Sequence, residues 1–227
     1  MCAPQLRWNG SLVTTRVKIC GINAEPALEA ALAGGADYIG LVFFPPSPRS
    51  VSLATARLLA TAARRGGAEV VALMVDPDDS LIEGVVAAAA PDILQLHGRE
   101  TPARAAAIGG RWGRRIMKAI PVSAAGDAEA ALAYTTAAQL ILFDARAHAG
   151  ATRPGGNGAS FPWQLVAGIK DKVAYALSGG LSPDNVAEAI RITGAGMVDV
   201  SSGVESQPGQ KDPELIRRFL ANAKRAP

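Results

Sequence analysis

A repeat constrains this chain more than any other feature. Eight times, a short run rich in β-branched residues gives way to a turn and then to an alanine-rich amphipathic stretch. "RVKIC" leads to "EPALEAALAGG", "YIGLVFF" to "SLATARLLATAARR", "EVVALMVD" to "DSLIEGVVAAAA", and "DILQLHG" to "TPARAAAIGG". The second half pairs "RRIMKAIPV" with "DAEAALAYTTA", "LILFDA" with "FPWQLVAGI", "VAYALSGG" with "SPDNVAEAIRITG", and "MVDVSSG" with "DPELIRRFLANAK". Strands that alternate with helical patterns argue for a parallel sheet covered by helices. Eight units with no element left over predict a single-domain (β/α)8 TIM barrel, and 227 residues suit one. An open doubly wound sheet is the alternative. We place the barrel at residues 16–227 and read residues 1–15 as a flexible N-terminal extension.

Composition excludes several classes of function. The first fifteen residues lack the apolar core of a signal peptide. No stretch reaches the roughly 18 uninterrupted apolar residues of a membrane span. Two cysteines, Cys2 and Cys20, form no disulfide framework and suit a reducing cytoplasm. His97 and His148 have no partners at ligand spacing, so we expect no metal. The net charge is +3, and the arginines are scattered rather than gathered beside aromatics, which argues against nucleic acid. A mild positive excess suits an anionic small molecule.

A barrel puts its chemistry at the C-terminal ends of the strands and in the loops that follow. Those positions carry Cys20-Gly21, "PPSPRS", Asp76, His97-Gly98, Asp144-Ala145-Arg146, "SGGLS" and "SSGVES". "ALSGGLSPDN" and "VDVSSGVES" follow the seventh and eighth strands, where barrels of this kind cradle phosphate. Glycines let backbone N–H groups approach an anion, and a helix start adds partial positive charge. Either loop alone would pass as a tight turn needing small residues. Three prolines stiffen the loop around Arg49, whose guanidinium matches a carboxylate bidentately; a solvated arginine before a helix is the plainer alternative. The period-two rule puts Leu140, Leu142 and Asp144 on one strand face, Lys18 with Cys20 on another, and Gln95 with His97 on a third. Asp144 could equally cap a turn, and Cys20 could be a small buried apolar residue. Lys18 would point into the barrel, where a charge needs a partner; Asp199 is one candidate.

Taken in order, "KICGI", "PPSPRSV", "LQLHG", "LFDA…GGNGASFPW", "LSGGLSPDNV" and "VDVSSGVE…PGQKD" resemble phosphoribosylanthranilate isomerase, a family of tryptophan biosynthesis. The resemblance runs from Arg16 to the C-terminal helix. It implies an Amadori rearrangement of N-(5-phosphoribosyl)anthranilate to 1-(2-carboxyphenylamino)-1-deoxyribulose 5-phosphate. Carried over position by position, it puts the general base at Cys20, the general acid at Asp144 and the anthranilate-carboxylate arginine at Arg49. Phosphate would rest on Gly179, Gly180, Ser201, Ser202 and Gly203. His97 is read as a site-wall residue. No metal and no cofactor are implied, and the expected assembly is a monomer or homodimer. A free thiol is only a few per cent thiolate at neutral pH, so the base needs activation, for which Lys18 is a candidate. A desolvated barrel mouth and an anionic substrate favour the protonated acid, and Arg146 works against it.

The family loop GGTGKxFDW reads "GGNGASFPW" here, with Asn157, Ala159 and Pro162 replacing Thr, Lys and Asp. None of these carries protons in the implied mechanism, so the departure bears on loop closure and substrate contacts. A two-half-barrel isomerase of histidine biosynthesis would show an internal repeat, and none is visible. A metal-dependent pentose-phosphate epimerase would need paired histidines and aspartates, and indole-glycerol-phosphate synthase a catalytic lysine and glutamates in order. A non-catalytic barrel could keep both glycine loops and lose Cys20 or Asp144, but both are present.

Overall fold

The computed structural model describes residues 15–147, 150, 154–156 and 158–226. The expected extension therefore lies, but for Thr15, outside the described residues, as do His148 and Asn157. Eight parallel strands close into a barrel in sequence order. They are β1 (Arg16–Cys20), β2 (Tyr38–Phe43), β3 (Glu69–Met74), β4 (Ile93–Leu96), β5 (Arg115–Val122), β6 (Leu140–Ala145), β7 (Tyr175–Leu177) and β8 (Met197–Val200). The outer layer is α1 (Glu25–Ala33), α2 (Leu53–Arg65), α3 (Asp79–Ala89), α4 (Pro102–Trp112), α5 (Gln164–Ala167), α6 (Val186–Thr193) and α7 (Pro213–Arg225). The repeat read from the sequence is thus a closed barrel and not an open sheet.

Four of the helices, α2, α3, α4 and α7, start where a side chain satisfies orphan amides of the first turn. Ser52, Asp78 and Thr101 accept from the N–H three residues on, and Asp212 accepts from Glu214 and Leu215. Two elements differ from expectation. "DAEAALAYTTA" forms a 3-10 helix, Asp127–Tyr134, whose buried residues Ala128 and Ala131 are three apart, the spacing at which a three-residue turn aligns one face. After β8 comes a short hairpin, β9 (Glu205–Gln207) with β10 (Gln210–Lys211), that the eight-unit reading did not contain.

Most of the apolar core lies between the strands and the helices. A smaller cluster fills the barrel itself, including Val71, Ile93, Met117, Leu140, Leu142 and Met197. The barrel seam joins β1 to β8 with Lys18 opposite Asp199. Lys18 is fully buried, and its Nζ lies 2.8 Å from Asp199 Oδ1, with Ser178 Oγ donating to Oδ2 at 3.2 Å. Burial opposes charge on Lys18, but Asp199 and Cys20 together outweigh it and raise the ammonium to about 12.

Removing one member of a buried pair leaves the other uncompensated, at about 3–5 kcal/mol. We therefore expect Lys18→Met to cost about that much in denaturant unfolding, and Lys18→Met with Asp199→Leu to recover most of it. Equal stability of the single variant and the parent would show that the pair does not secure the seam.

Candidate active site

Cys20 ends β1 and is buried at the barrel mouth. The next residue, Gly21, takes φ +78°, and a Cβ there would stand 2.6 Å from Arg49 Cδ. The bare backbone after the cysteine is what lets the arginine stem cross it. The loop after β2 is pinned by a bridge between Val42 and Ser50, and Ser47 Oγ accepts from the Arg49 N–H at 3.2 Å. Arg49 itself is buried.

Burial pushes the Cys20 thiol above its ordinary value near 9. Lys18, directly below on the same face, and Lys211 pull the other way, while Asp199 adds to the rise. Lys18 thus pairs with Asp199 and also interacts with the Cys20 sulfur.

Asp144, at the end of β6, is 7% exposed. Its Oδ1 accepts from the Ala145 N–H at 2.9 Å, and its Oδ2 lies 3.3 Å from His97 Nε2. His97 Nδ1 in turn sits 3.0 Å from Gln95 Nε2. The imidazole expected as a wall residue therefore links the acidic group to an amide buried inside the barrel. Arg146, expected to oppose protonation of Asp144, turns away to Asp127 at 3.1 Å and Ser123 at 2.8 Å.

A cavity of about 750 Å³, counting its open mouth, brings Cys20, Arg49, His97, Asp144, Gly179, Gly180, Ser201 and Ser202 onto one wall system. Gly203 lies off that lining; a Cβ there would collide with the Leu181 carbonyl, so it is where the β7 and β8 loops lock together. Of the loop after β6, Pro154, Gly155, Gly156, Gly158 and Ala159 border the other side. Backbone at Gly155 passes so close that a Cβ would reach 2.5 Å from Asp144 Oδ2, and at Gly156 2.5 Å from Arg49 Nη1. Ala159, one of the departures from the family loop, packs its carbonyl beside Gly180.

Sequence reasoning missed two charged residues. Glu205 and Lys211 lie in the quoted "SSGVE…PGQKD" but received no role. The β9–β10 hairpin folds both back into the site. Glu205 pairs with Arg49 at 2.7 Å and with Lys211 at 2.7 Å. Burial works against its charge, yet Arg49 and Lys211 together pull it down to about 2. Burial lowers Lys211, with Glu205 opposing. Lys18, Arg49 and Lys211 against Asp199 and Glu205 leave one positive charge from these five groups beside the cavity. Such a site suits an anion, and with a thiol and a carboxyl facing it, proton transfer on that anion.

Comparison with known proteins agrees with this geometry. Residues 17–222 match the family model described as N-(5'phosphoribosyl)anthranilate (PRA) isomerase. The N-(5'-phosphoribosyl)anthranilate isomerase of Rhodopseudomonas palustris strain BisA53 is 54% identical over 208 residues, 92% of this chain and 95% of the relative. That of Bradyrhizobium diazoefficiens is 52% identical over 92% of this chain and 93% of its own. The crystal structure of phosphoribosyl anthranilate isomerase from Thermotoga maritima superposes with a TM-score of 0.83 at 36% identity, covering 92% of this chain and 98% of that one. A complex of such an isomerase with reduced 1-(o-carboxyphenylamino)-1-deoxyribulose 5-phosphate gives 0.80 at 34% identity, over 92% and 98% of the two chains. The chain belongs to the N-(5'-phosphoribosyl)anthranilate isomerase family of tryptophan biosynthesis and is an aldose–ketose isomerase.

Proposed function

We propose that the chain rearranges N-(5-phosphoribosyl)anthranilate to 1-(2-carboxyphenylamino)-1-deoxyribulose 5-phosphate with Cys20 as general base and Asp144 as general acid. The observation that carries this reading is that a thiol and a carboxyl, brought from β1 and β6, face one cavity between the glycine loops and Arg49. Gly179, Gly180, Ser201, Ser202 and the turn at Gly203 would hold the phosphate. Arg49 would receive the anthranilate carboxylate. His97 would steady the carboxyl of Asp144, which it meets at 3.3 Å.

The chemistry follows from these positions. Asp144, protonated in the complex, gives its proton to the ribose ring oxygen as the amine nitrogen's lone pair expels C1–O, opening the ring to an iminium. Cys20 as thiolate then removes the C2 proton, leaving an enolamine that tautomerises to the ketone. Ketonisation puts a proton on C1 and takes one from the C2 hydroxyl, which returns the protons exchanged with Cys20 and Asp144, so the net change is a hydrogen shift within the substrate and no oxidant or reductant is consumed. Lys18 and Lys211 favour the thiolate against the burial that opposes it. We place the protein in the cytoplasm as a monomer or homodimer. No helix among the described residues is long and apolar enough to cross a membrane, and the Thermotoga maritima relative is described as dimeric.

Freshly made phosphoribosylanthranilate should lose its fluorescence when purified protein is added; unchanged decay would overturn the proposal. Cys20→Ser should lower kcat by at least about a hundredfold while binding largely survives. The pH profile carries the same signature. Because the mechanism needs the Cys20 thiolate and a protonated Asp144 at once, gain of the one offsets loss of the other as pH rises, so kcat/KM should be level through the neutral range and fall only above the titration of the thiol, which burial raises above its ordinary value near 9. Cys20→Ser should lose that alkaline fall, and its persistence would assign the base elsewhere.

Asp144→Asn keeps shape but has no acid proton. It should abolish ring opening with little change in folding. Proton-exchange measurements separate the two steps: a variant that opened the ring normally and failed only at C2 would mean that the two roles are reversed.

A further inference from the structure

The Arg49–Glu205 pair in the buried cluster takes no part in the proton transfers proposed above. A guanidinium offers five N–H donors on a rigid fork. Glu205 occupies one edge, with Oε1 2.7 Å from Nε and Oε2 2.8 Å from Nη2. The Gly156 carbonyl accepts from Nη2 at 3.2 Å. Nη1 donates to none of the described residues, while Arg49 lies on the cavity wall.

Glu205 is itself held. Lys211 Nζ lies 2.7 Å from its Oε1, and the Gly209 N–H donates to Oε2 at 3.2 Å. Lys211 also donates to the carbonyl of Ser201 at 2.9 Å and to its hydroxyl at 3.2 Å. The Ser201 hydroxyl donates to the Cys20 carbonyl at 3.1 Å. One chain of contacts therefore runs from Arg49 to the loop after β8 and to the end of β1.

We propose that Glu205, braced by Lys211, is a specificity-determining positioning residue that fixes Arg49 so that its Nη1 side receives the substrate carboxylate at a set distance from the phosphate loop. The inference rests on Arg49 being the carboxylate's partner. Two physical effects support it. Ordering a long side chain costs affinity if it happens on binding, and here the arginine is ordered beforehand. Arg49 and Lys211 against Glu205 also leave one positive charge, which matches one carboxylate. Without Glu205, two cations would face each other across the space it vacates, and the fork would lose its fixed edge.

The test uses two ligands: reduced 1-(o-carboxyphenylamino)-1-deoxyribulose 5-phosphate, and the same molecule without its ring carboxyl. The ratio of their dissociation constants measures carboxylate discrimination. Glu205→Gln keeps the shape but can no longer accept on both atoms. It should cut the ratio by about tenfold or more while affinity for the decarboxylated ligand stays within about twofold. Lys211→Met, which leaves Glu205 in place, should reduce the ratio in the same direction. In steady state, Glu205→Gln should raise KM with kcat little changed. If Arg49→Ala abolishes the ratio and both other variants preserve it, Arg49 keeps its role and the positioning inference is overturned. If Arg49→Ala leaves the ratio intact, the carboxylate assignment fails and takes this inference with it.

Discussion

Closing β1 against β8 is the step on which everything else in this barrel depends. The register of that seam sets Lys18 opposite Asp199 and leaves Cys20, two residues on, at the rim of the same face. Two buried charges are an expensive way to join strands, since an apolar pair of similar volume often serves as well. What the ion pair supplies that an apolar pair would not is a permanent ammonium under a thiol. The side chain that secures the seam is therefore also one that draws the Cys20 thiol down against its burial.

That link shows how stability and chemistry are distributed. The helices and their caps, and the Val, Ile and Leu layers, would serve any barrel. The charged groups at the strand ends are packed as an ordered set, in which each cation has a carboxylate or carbonyl to hold it. Lys118, for example, bonds Glu100 at 2.8 Å and the carbonyls of Leu96 and Gly98, and the Asp76 N–H donates to the same Glu100. This second buried pair ties the loops after β3 and β4, far in sequence from the β1–β8 pair.

Much of this was legible before any coordinates. The eight-unit repeat yields the barrel, because period and turn chemistry are local properties of the chain. Cys20, Asp144 and Gln95–His97 were placed by alternation, and the cavity brings Cys20, His97 and Asp144 together. Asp199 as partner of Lys18 was one candidate, and only strand pairing decides it. Glu205 was not legible in its role. It meets Arg49 across 156 residues of chain, and only the hairpin after β8 brings the two together. The 3-10 helix at Asp127–Tyr134 was missed because alanines fit either helical period, and which alanines are buried is decided by the sheet beneath. Arg146 lies close to Asp144 in sequence, but its side chain pairs with Asp127.

Gly21 has a consequence for how substitutions in this protein combine. The Arg49 stem runs where a side chain at position 21 would stand. An alanine at 21 is thus not an independent change in a turn: it would displace the guanidinium from Glu205 and from Gly156 together. Energies of substitutions at 21, 49 and 205 should fail to add, as they do wherever residues share one contact. Three positions spread across most of the chain behave, in a mutational map, as one site.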